Sequence, residues 1–413
     1  MALPLFLPCA AGVEALLVDE VRRLLPEARI VEARGGVRLT GERIDVMTLN
    51  LESRLAQRVL IEVAAGPYRD EHDLYALARS VEWSAWITPR HTLRVDTTAQ
   101  RSPLKSLNFA ALRVKDAVCD QLRELTGERP SVELRHPDLP LVLHVGPGDA
   151  TLYIDSSGEA LFKRGWREDK GDAPLKETLA AAMLAAAGWR GTKDAGGALH
   201  DPCCGSGTIA IEAAQIACGI APGVARRFAF ERLLPFADAE QRAALQRLRS
   251  QAQARVHAPA VPIVASDLSF RMVDFARRNA ERAGVLDAIE FHGGDALERP
   301  APALPPDLPG TLMINPPYGA RIEVGGKAAP SPDRDLPTDF YARLASHWKR
   351  AYTAHPAGWT AYVLSPDMKL PSAMRLKESR RVPMWNGPIE CRLFRFDLVA
   401  GSARRSPEGE PGE

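Results

Sequence analysis

Long hydrophobic runs are missing from this 413-residue sequence. No apolar stretch approaches the ~20 residues that a membrane span needs, so no membrane partner is expected. Cysteine is scarce and poorly spaced for covalent staples. The six cysteines stand at 9, 119, 203, 204, 218 and 391 without a CxxC pair, which excludes a disulfide framework and suits a reducing, cytoplasmic setting. The nine histidines show neither HxH nor i, i+4 spacing, so no metal site is expected. Excess charge is missing too. A formal net charge of +1 leaves the whole-chain balance silent about nucleic acid, and any basic footprint has to be local. The opening MALPLFLPCAAGVEALL lacks a basic n-region and is interrupted by Pro4 and Pro8, so it reads as strand, turn and helix rather than as a signal peptide.

What is present is ordinary globular composition, with length for two or three domains. Residues 1–65 place two amphipathic helices among short apolar runs, with a hairpin at Gly35-Gly36. This βαββαβ-like order suits a small α+β sandwich. Residues 66–160 form a second α/β segment. In it SLNFAALRVKDAVCDQLRELTG is an amphipathic helix ending at Gly127, and TLRVDTTA, SVELRH, LVLHVG and ATLYIDSSG are strands. Between 89 and 123, seven Lys/Arg face three Asp/Glu, a solvated helix face or a phosphate-contacting one. Residues 165–400 alternate ALHDPC, PIVASDL, AIEFHGGD, TLMINPP and WTAYVLSP with helices, then add CRLFRFDLV. That alternation predicts a parallel, doubly wound sheet. Residues 401–413 lack apolar character and are expected to be a disordered tail.

Four strand ends carry the chemistry. In LHDPCCGSGTIAIEAA a strand ends at Asp201, and Gly205 and Gly207 lead into a helix. Glycines there let a ligand approach the backbone at a helix N-terminus. The spacing Gly205-x-Gly207-x-x-Ala210 also fits a dinucleotide fingerprint, so alone it indicates only a nucleotide-like cofactor. Asp267 closes the next strand, placed to hold a ribose diol or to cap the following helix with Ser269. Asp295 follows a Gly-Gly pair after the third strand, where a carboxylate can accept from an adenine amino group.

The fourth strand ends in Asn315-Pro316-Pro317-Tyr318-Gly319. The prolines stiffen the turn. The Asn315 amide oxygen and the Pro316 carbonyl then form a pair of acceptors for both hydrogens of an exocyclic NH2, and Tyr318 offers a stacking face. Hydride transfer has no use for such a loop. Transfer of a methyl group from S-adenosylmethionine to a planar amine uses all four sites.

With these residues the chain resembles the THUMP-containing class I RNA methyltransferases, specifically the bacterial 23S rRNA guanine-N2 methyltransferases of the RlmL-like type. The resemblance rests on RVKDAVCDQLRE, RPSVELRHPD, LYIDSSGEALFKRGWR and APLKETLAAAML in the first half, and on DPCCGSGTIAIEAA, SDLSFRMVDFARRNAERAGV, NPPYG, LSPD and WNGPIECRLF in the second. It implies a ferredoxin-like domain at 1–65, a THUMP RNA-binding domain at 66–160 and a Rossmann-like methyltransferase domain at 165–400. It also implies Asp201, Gly205 and Gly207 at the methionine end of the cofactor, Asp267 at the ribose, Asp295 at the adenine, and Lys176 nearby. Asn315, Pro316 and Tyr318 would grip the target guanine.

The family commonly follows NPPYG with a Glu-Arg-Leu-Gly-like run, where this chain has ARIEVGGKAAPSPDRDLP. A larger relative carries a second methyltransferase module, so one reaction is expected of this chain. The expected partner is 23S rRNA or its precursor particle. The competing readings are tRNA guanine-N2, DNA adenine-N6 or protein glutamine methylation, an NAD-type oxidoreductase, and a non-catalytic RNA-binding or ribosome-assembly factor.

Overall fold

The computed structural model of the chain describes residues 2–171, 175–316 and 339–399. The expected tail at 401–413, together with Pro317, Tyr318 and the 320–337 loop, lies outside the described residues. Two compact units emerge, one within Met1–Arg167, Lys176–Ala182 and Gly219–His257, the other within Glu168–Leu175, Met183–Cys218 and Ala258–Glu413.

The first unit opens with β1 (Leu3–Pro8), α1 (Glu14–Leu24), β2 (Ile30–Ala33), β3 (Gly36–Gly41), α2 (Arg43–Glu52) and β4 (Leu60–Pro67), the order that hydrophobic periodicity predicts. It continues with α3 (Glu71–Arg79), β5 (Thr92–Ala99), α4 (Leu107–Thr126), β6 (Ser131–Val132), β7 (Leu139–Val145) and β8 (Asp149–Asp155). Helix α4 starts where the Ser106 hydroxyl accepts the Phe109 N–H and stops where Gly127 turns left-handed at φ +80, as a glycine C-cap does. Helix α3 escaped the sequence reading. It is short, and its start depends on Asp70 accepting the N–H groups of His72 and Asp73. The SVELRH strand shrinks to the two residues of β6.

All eight strands join one sheet in the order β2-β3-β1-β4-β8-β7-β5-β6. The antiparallel β4–β8 ladder, from Leu60↔Asp155 to Pro67↔Asp149, carries it across both N-terminal segments. The acids at 89–123 are all paired inside the stretch, and Arg90, Arg101 and Lys105 are left with no acid there. Arg94 pairs with Asp96, Arg113 and Lys115 with Asp116, and Arg123 with Asp120. Those four cations use all three acids of the stretch.

The chain goes on through α5 (Glu177–Ala186), β9 (Ala198–Asp201) and α6 (Thr208–Ala217) before giving α7 (Ala239–Ala254) to the first unit. There α7 packs on α2, with Leu51, Ala221 and Ala252 buried together.

The second unit is built on β9, α6, β10 (Ile263–Asp267), α8 (Phe270–Arg282), β11 (Glu290–Gly293), β12 (Gly310–Ile314), α9 (Phe340–Ala351), β13 (Trp359–Ser365), α10 (Leu370–Met374), β14 (Arg380–Asn386) and β15 (Ile389–Leu398). Its sheet runs β11-β10-β9-β12-β13-β15-β14. Strands β9 to β13 are parallel, as expected. The expectation of a parallel sheet throughout fails at the end of the chain, where β15 is antiparallel to both β13 and β14. The cause is local. Only Gly387, at φ +63, and Pro388 separate β14 from β15, and so short a link closes a hairpin but cannot cross the sheet. The core on the β12–β13 side gathers Leu312, Ile314, Trp348, Tyr352, Trp359, Phe394 and Phe396.

Candidate active site

Strand order places the candidate residues. Strand β9 lies between β10 and β12, so the chain winds one way from β9 to β11 and returns across the sheet to β12. Open sheets bind ligands in the crevice at such a reversal, beyond the carboxyl ends of the strands. Asp201 ends β9, Asp267 ends β10, Asp295 lies two residues past β11, and Asn315 follows β12. The register aligns Ala265 with Asp201, Asp267 with Gly293 and Leu312 with His200. These four polar side chains therefore stand along one edge of the sheet.

The glycine loop after β9 is fixed from three directions. The Cys204 N–H donates to the Ser266 carbonyl at 2.9 Å. The Gly205 N–H donates to Oδ2 of Asp267 at 2.9 Å. The buried Asn279 of α8 donates its amide to the Ser206 carbonyl at 3.0 Å. Gly205 and Gly207 have φ of +53 and +90, values that suit glycine. A Cβ built on Gly205 meets no described atom within 4 Å, whereas one on Gly207 lies 3.0 Å from the Ala276 Cβ. Gly207 is thus a packing glycine against α8, and Gly205 faces open space.

The capping reading is not met: the N-cap of α8 is Ser269, whose hydroxyl makes no capping hydrogen bond among the described residues, and two residues before it stands Asp267. Its Oδ1 accepts the Ser269 N–H at 2.9 Å while Oδ2 holds Gly205. Each oxygen has a further acceptor site for a hydroxyl. Asp295 accepts the Leu297 N–H at 2.9 Å. Asp201 is buried, and its Oδ1 accepts the Cys203 N–H at 3.2 Å. Burial, then the Asp267 charge, pushes the Asp201 carboxyl well above the usual range. Burial and the nearby carboxylates likewise raise the Cys203 and Cys204 thiols far above the ordinary value. Such surroundings disfavour the thiolate form of both.

At the β12 end, Pro316 is buried and Asn315 half-buried. The Asn315 Oδ1 is itself buried with no hydrogen-bond partner among the described residues. An unmet buried acceptor is costly unless something fills it. Lys176, the remaining sequence candidate, lies in the first unit with its Nζ 4.9 Å from the Phe162 ring centroid, and its carbonyl accepts the Leu179 and Ala180 N–H groups.

Sequence reasoning missed three contributors. Asn279, which holds the loop, reads as one polar residue in a charged helix. Phe270 opens α8 with 79% of its surface exposed. Its ring covers Gly293 so closely that a Cβ there would sit 2.3 Å from Cε1, giving an apolar wall near Asp267 and Asp295. A Phe three residues past a strand-end acid was the available signal. Tyr341, in the first turn of α9, hydrogen-bonds Ser365 at the end of β13, and burial raises its hydroxyl to about 12.

The residues present fit a nucleotide-like methyl donor: an open glycine turn, two strand-end carboxylates and an unmatched amide oxygen. Comparisons with known proteins agree. Residues 164–395 match the RMKL-like methyltransferase domain, 68–155 the THUMP domain and 4–60 the RlmL ferredoxin-like domain. The chain is 36% identical over 406 residues to a ribosomal RNA large subunit methyltransferase K/L of Syntrophotalea carbinolica, covering 95% of this chain and 53% of that one. A protein of the same name from Pseudomonas paraeruginosa is 36% identical over 412 residues, covering 99% and 54%. The chain thus spans about half the length of the curated relatives it matches. The crystal structure of SMU.472 complexed with SAH superposes with a TM-score of 0.81 at 26% identity, covering 98% of this chain and 99% of that one. With its strand-end carboxylates, glycine turn and inserted antiparallel strand, the chain belongs to the RMKL-like methyltransferase-domain family.

Proposed function

We propose that this chain transfers a methyl group from S-adenosylmethionine to the exocyclic N2 amine of a guanine in 23S rRNA, in the cytoplasm, on naked RNA or a precursor particle. The observation that carries the reading is the buried Asn315 Oδ1 without a described partner, at the strand edge that bears the glycine turn. The family match and the name of the K/L relatives support the methyl-transfer class and the ribosomal RNA substrate. The SAH in the SMU.472 structure supports the donor.

S-adenosylmethionine supplies a methyl group on a positively charged sulfur, ready for direct displacement. The chain's own residues hold and orient. Asp201 and Gly205 accommodate the methionine end on a turn that Gly207 lets pack against α8, Asp267 accepts the ribose hydroxyls, and Asp295 meets the adenine amine beside Phe270. Asn315 Oδ1 and the Pro316 carbonyl accept the two amine hydrogens, and Tyr318 stacks on the base. Acceptors that grip the N–H bonds gain strength as positive charge develops on nitrogen, so they act more on the transition state than on the bound base. The guanine reaches them unstacked.

The test is methylation of unmodified 23S rRNA by the purified chain, with mass spectrometry of the digested nucleosides and a parallel tRNA arm. N2-methylguanosine in the ribosomal arm is expected. N6-methyladenosine, or modification of tRNA alone, would overturn the substrate. Asn315→Ala should lower turnover on the order of 10²-fold while S-adenosylhomocysteine still binds. Equal loss of both would refute the role of Asn315.

A further inference from the structure

The first unit contains a recess of about 160 Å³ lined by Arg94, Arg135, His136, Arg227, Phe228 and Arg232 among others. The lining comes from two distant parts of the chain. Residues 135 and 136 precede β7 within the THUMP match, whereas 227–232 belong to the segment between α6 and α7, inside the methyltransferase match.

The four arginines are not equivalent. Arg94 pairs with Asp96 at 2.7 Å and donates to the Leu134 carbonyl, which braces the loop before β7. Arg232 pairs with Asp138 at 3.0 Å and donates to the Pro137 carbonyl at 2.7 Å, which ties the 227–232 segment to the same loop. These two build the walls. Arg135 and Arg227 are exposed, and neither guanidinium has a partner among the described residues. One neighbour is fixed: Arg226 is buried and donates to the carbonyls of Ala160 at 3.1 Å and Glu159 at 2.7 Å. Among the described residues Glu159 is the sole carboxylate lining the recess, and Lys163 holds it at 2.9 Å. The recess is therefore a concave, braced surface with two uncommitted guanidiniums and its one acid already neutralised.

Cations left unpaired in a cleft suit an anion, and the planar guanidinium fork matches phosphate geometry. We propose that this recess binds a backbone phosphate of the RNA substrate through Arg135 and Arg227. The assignment rests on the RNA reading above. It adds that a segment inside the methyltransferase match helps the THUMP match to fix the register of the strand, because phosphate contacts position a nucleic acid without reading its bases.

The test measures binding of an unmodified 23S rRNA fragment to the full chain across a salt series. Arg135→Ala/Arg227→Ala should weaken binding roughly tenfold and reduce the salt slope by about 1. Its melting curve and S-adenosylhomocysteine affinity should stay at wild-type values. Arg135→Lys/Arg227→Lys should recover most of the slope, because charge is kept while the fork is lost. Unchanged affinity and slope in the alanine variant would overturn the site alone. A wild-type chain that binds no RNA would overturn the RNA reading and this site with it.

Discussion

The two loop glycines make the sharpest test of where the cofactor lies, because an added methyl group meets different surroundings at each. At Gly205, φ +53 and the absence of any described atom within 4 Å of a built Cβ leave only backbone strain. A left-handed conformation costs an alanine ~1–2 kcal/mol, offset by ~0.4–1 kcal/mol from a less disordered unfolded chain. Gly205→Ala should therefore lose at most about 1.5 kcal/mol of stability. At Gly207 the same backbone term is joined by contacts of 3.0 Å to the Ala276 Cβ and 3.2 Å to the Ile211 Cδ1. Overpacking of that kind adds ~1–3 kcal/mol, so Gly207→Ala should lose about 1–4.5 kcal/mol.

Ligand binding should reverse the ranking. If the cofactor passes across the open face of Gly205, the methyl group occupies its path, and S-adenosylhomocysteine affinity should fall on the order of 10- to 100-fold, about 1.4–2.7 kcal/mol. Urea denaturation gives the stabilities and isothermal titration the affinities. A Gly205→Ala chain that binds S-adenosylhomocysteine within twofold of wild type would refute the placement of the cofactor at this turn.

Other outcomes follow from single groups. Asp267→Asn leaves one carbonyl oxygen where two carboxylate oxygens serve the Gly205 and Ser269 N–H groups, so calorimetric affinity for S-adenosylhomocysteine should drop roughly tenfold or more; wild-type affinity would refute both the brace and the ribose contact. His200 is fully buried with Nδ1 2.9 Å from the Tyr352 hydroxyl, and burial lowers its pKa from 6.5 to about 3. Its contribution is complete above pH 6.5 and is lost as pH falls from there towards 3, with a slope of at most about 1.4 kcal/mol per pH unit. His200→Leu should remove that slope from denaturation curves between pH 7 and 4.5, whatever its absolute stability. An identical pH dependence in the variant would place the acid sensitivity elsewhere.

Much of the fold is legible because its signals are local. The βαββαβ opening and the strands β9 to β13 show in hydrophobic periodicity, and α4 carries both a serine cap and a terminal glycine. What escapes notice depends on partners distant in sequence. Strand β15 looks like one more parallel strand until the tight Gly387-Pro388 link fixes its direction. Asp201, Asp267, Asp295 and Asn315 can be picked out because each stands at or within two residues of a strand's end, and strand order brings strand ends together. Asn279 cannot be picked out this way. Its value lies in reaching the Ser206 carbonyl from another helix, and nothing in ARRNAER marks it.

Charge is legible from a window only in part. A window count finds seven cations against three acids at 89–123, yet four of those cations are spent on the three acids beside them. Proximity in sequence is what makes such pairs easy to form. A cation free to meet a phosphate is more easily found where the fold has separated it from nearby acids. Arg135 and Arg227 meet that condition in part: each arrives at the recess on a different segment, Asp96, Asp138 and Glu159 are held by Arg94, Arg232 and Lys163, and Glu133 accepts the Arg135 backbone N–H rather than its guanidinium. On the proposed RNA reading, a chain of net charge +1 would hold its substrate at a few uncommitted guanidiniums, with steering that weakens steeply as salt rises.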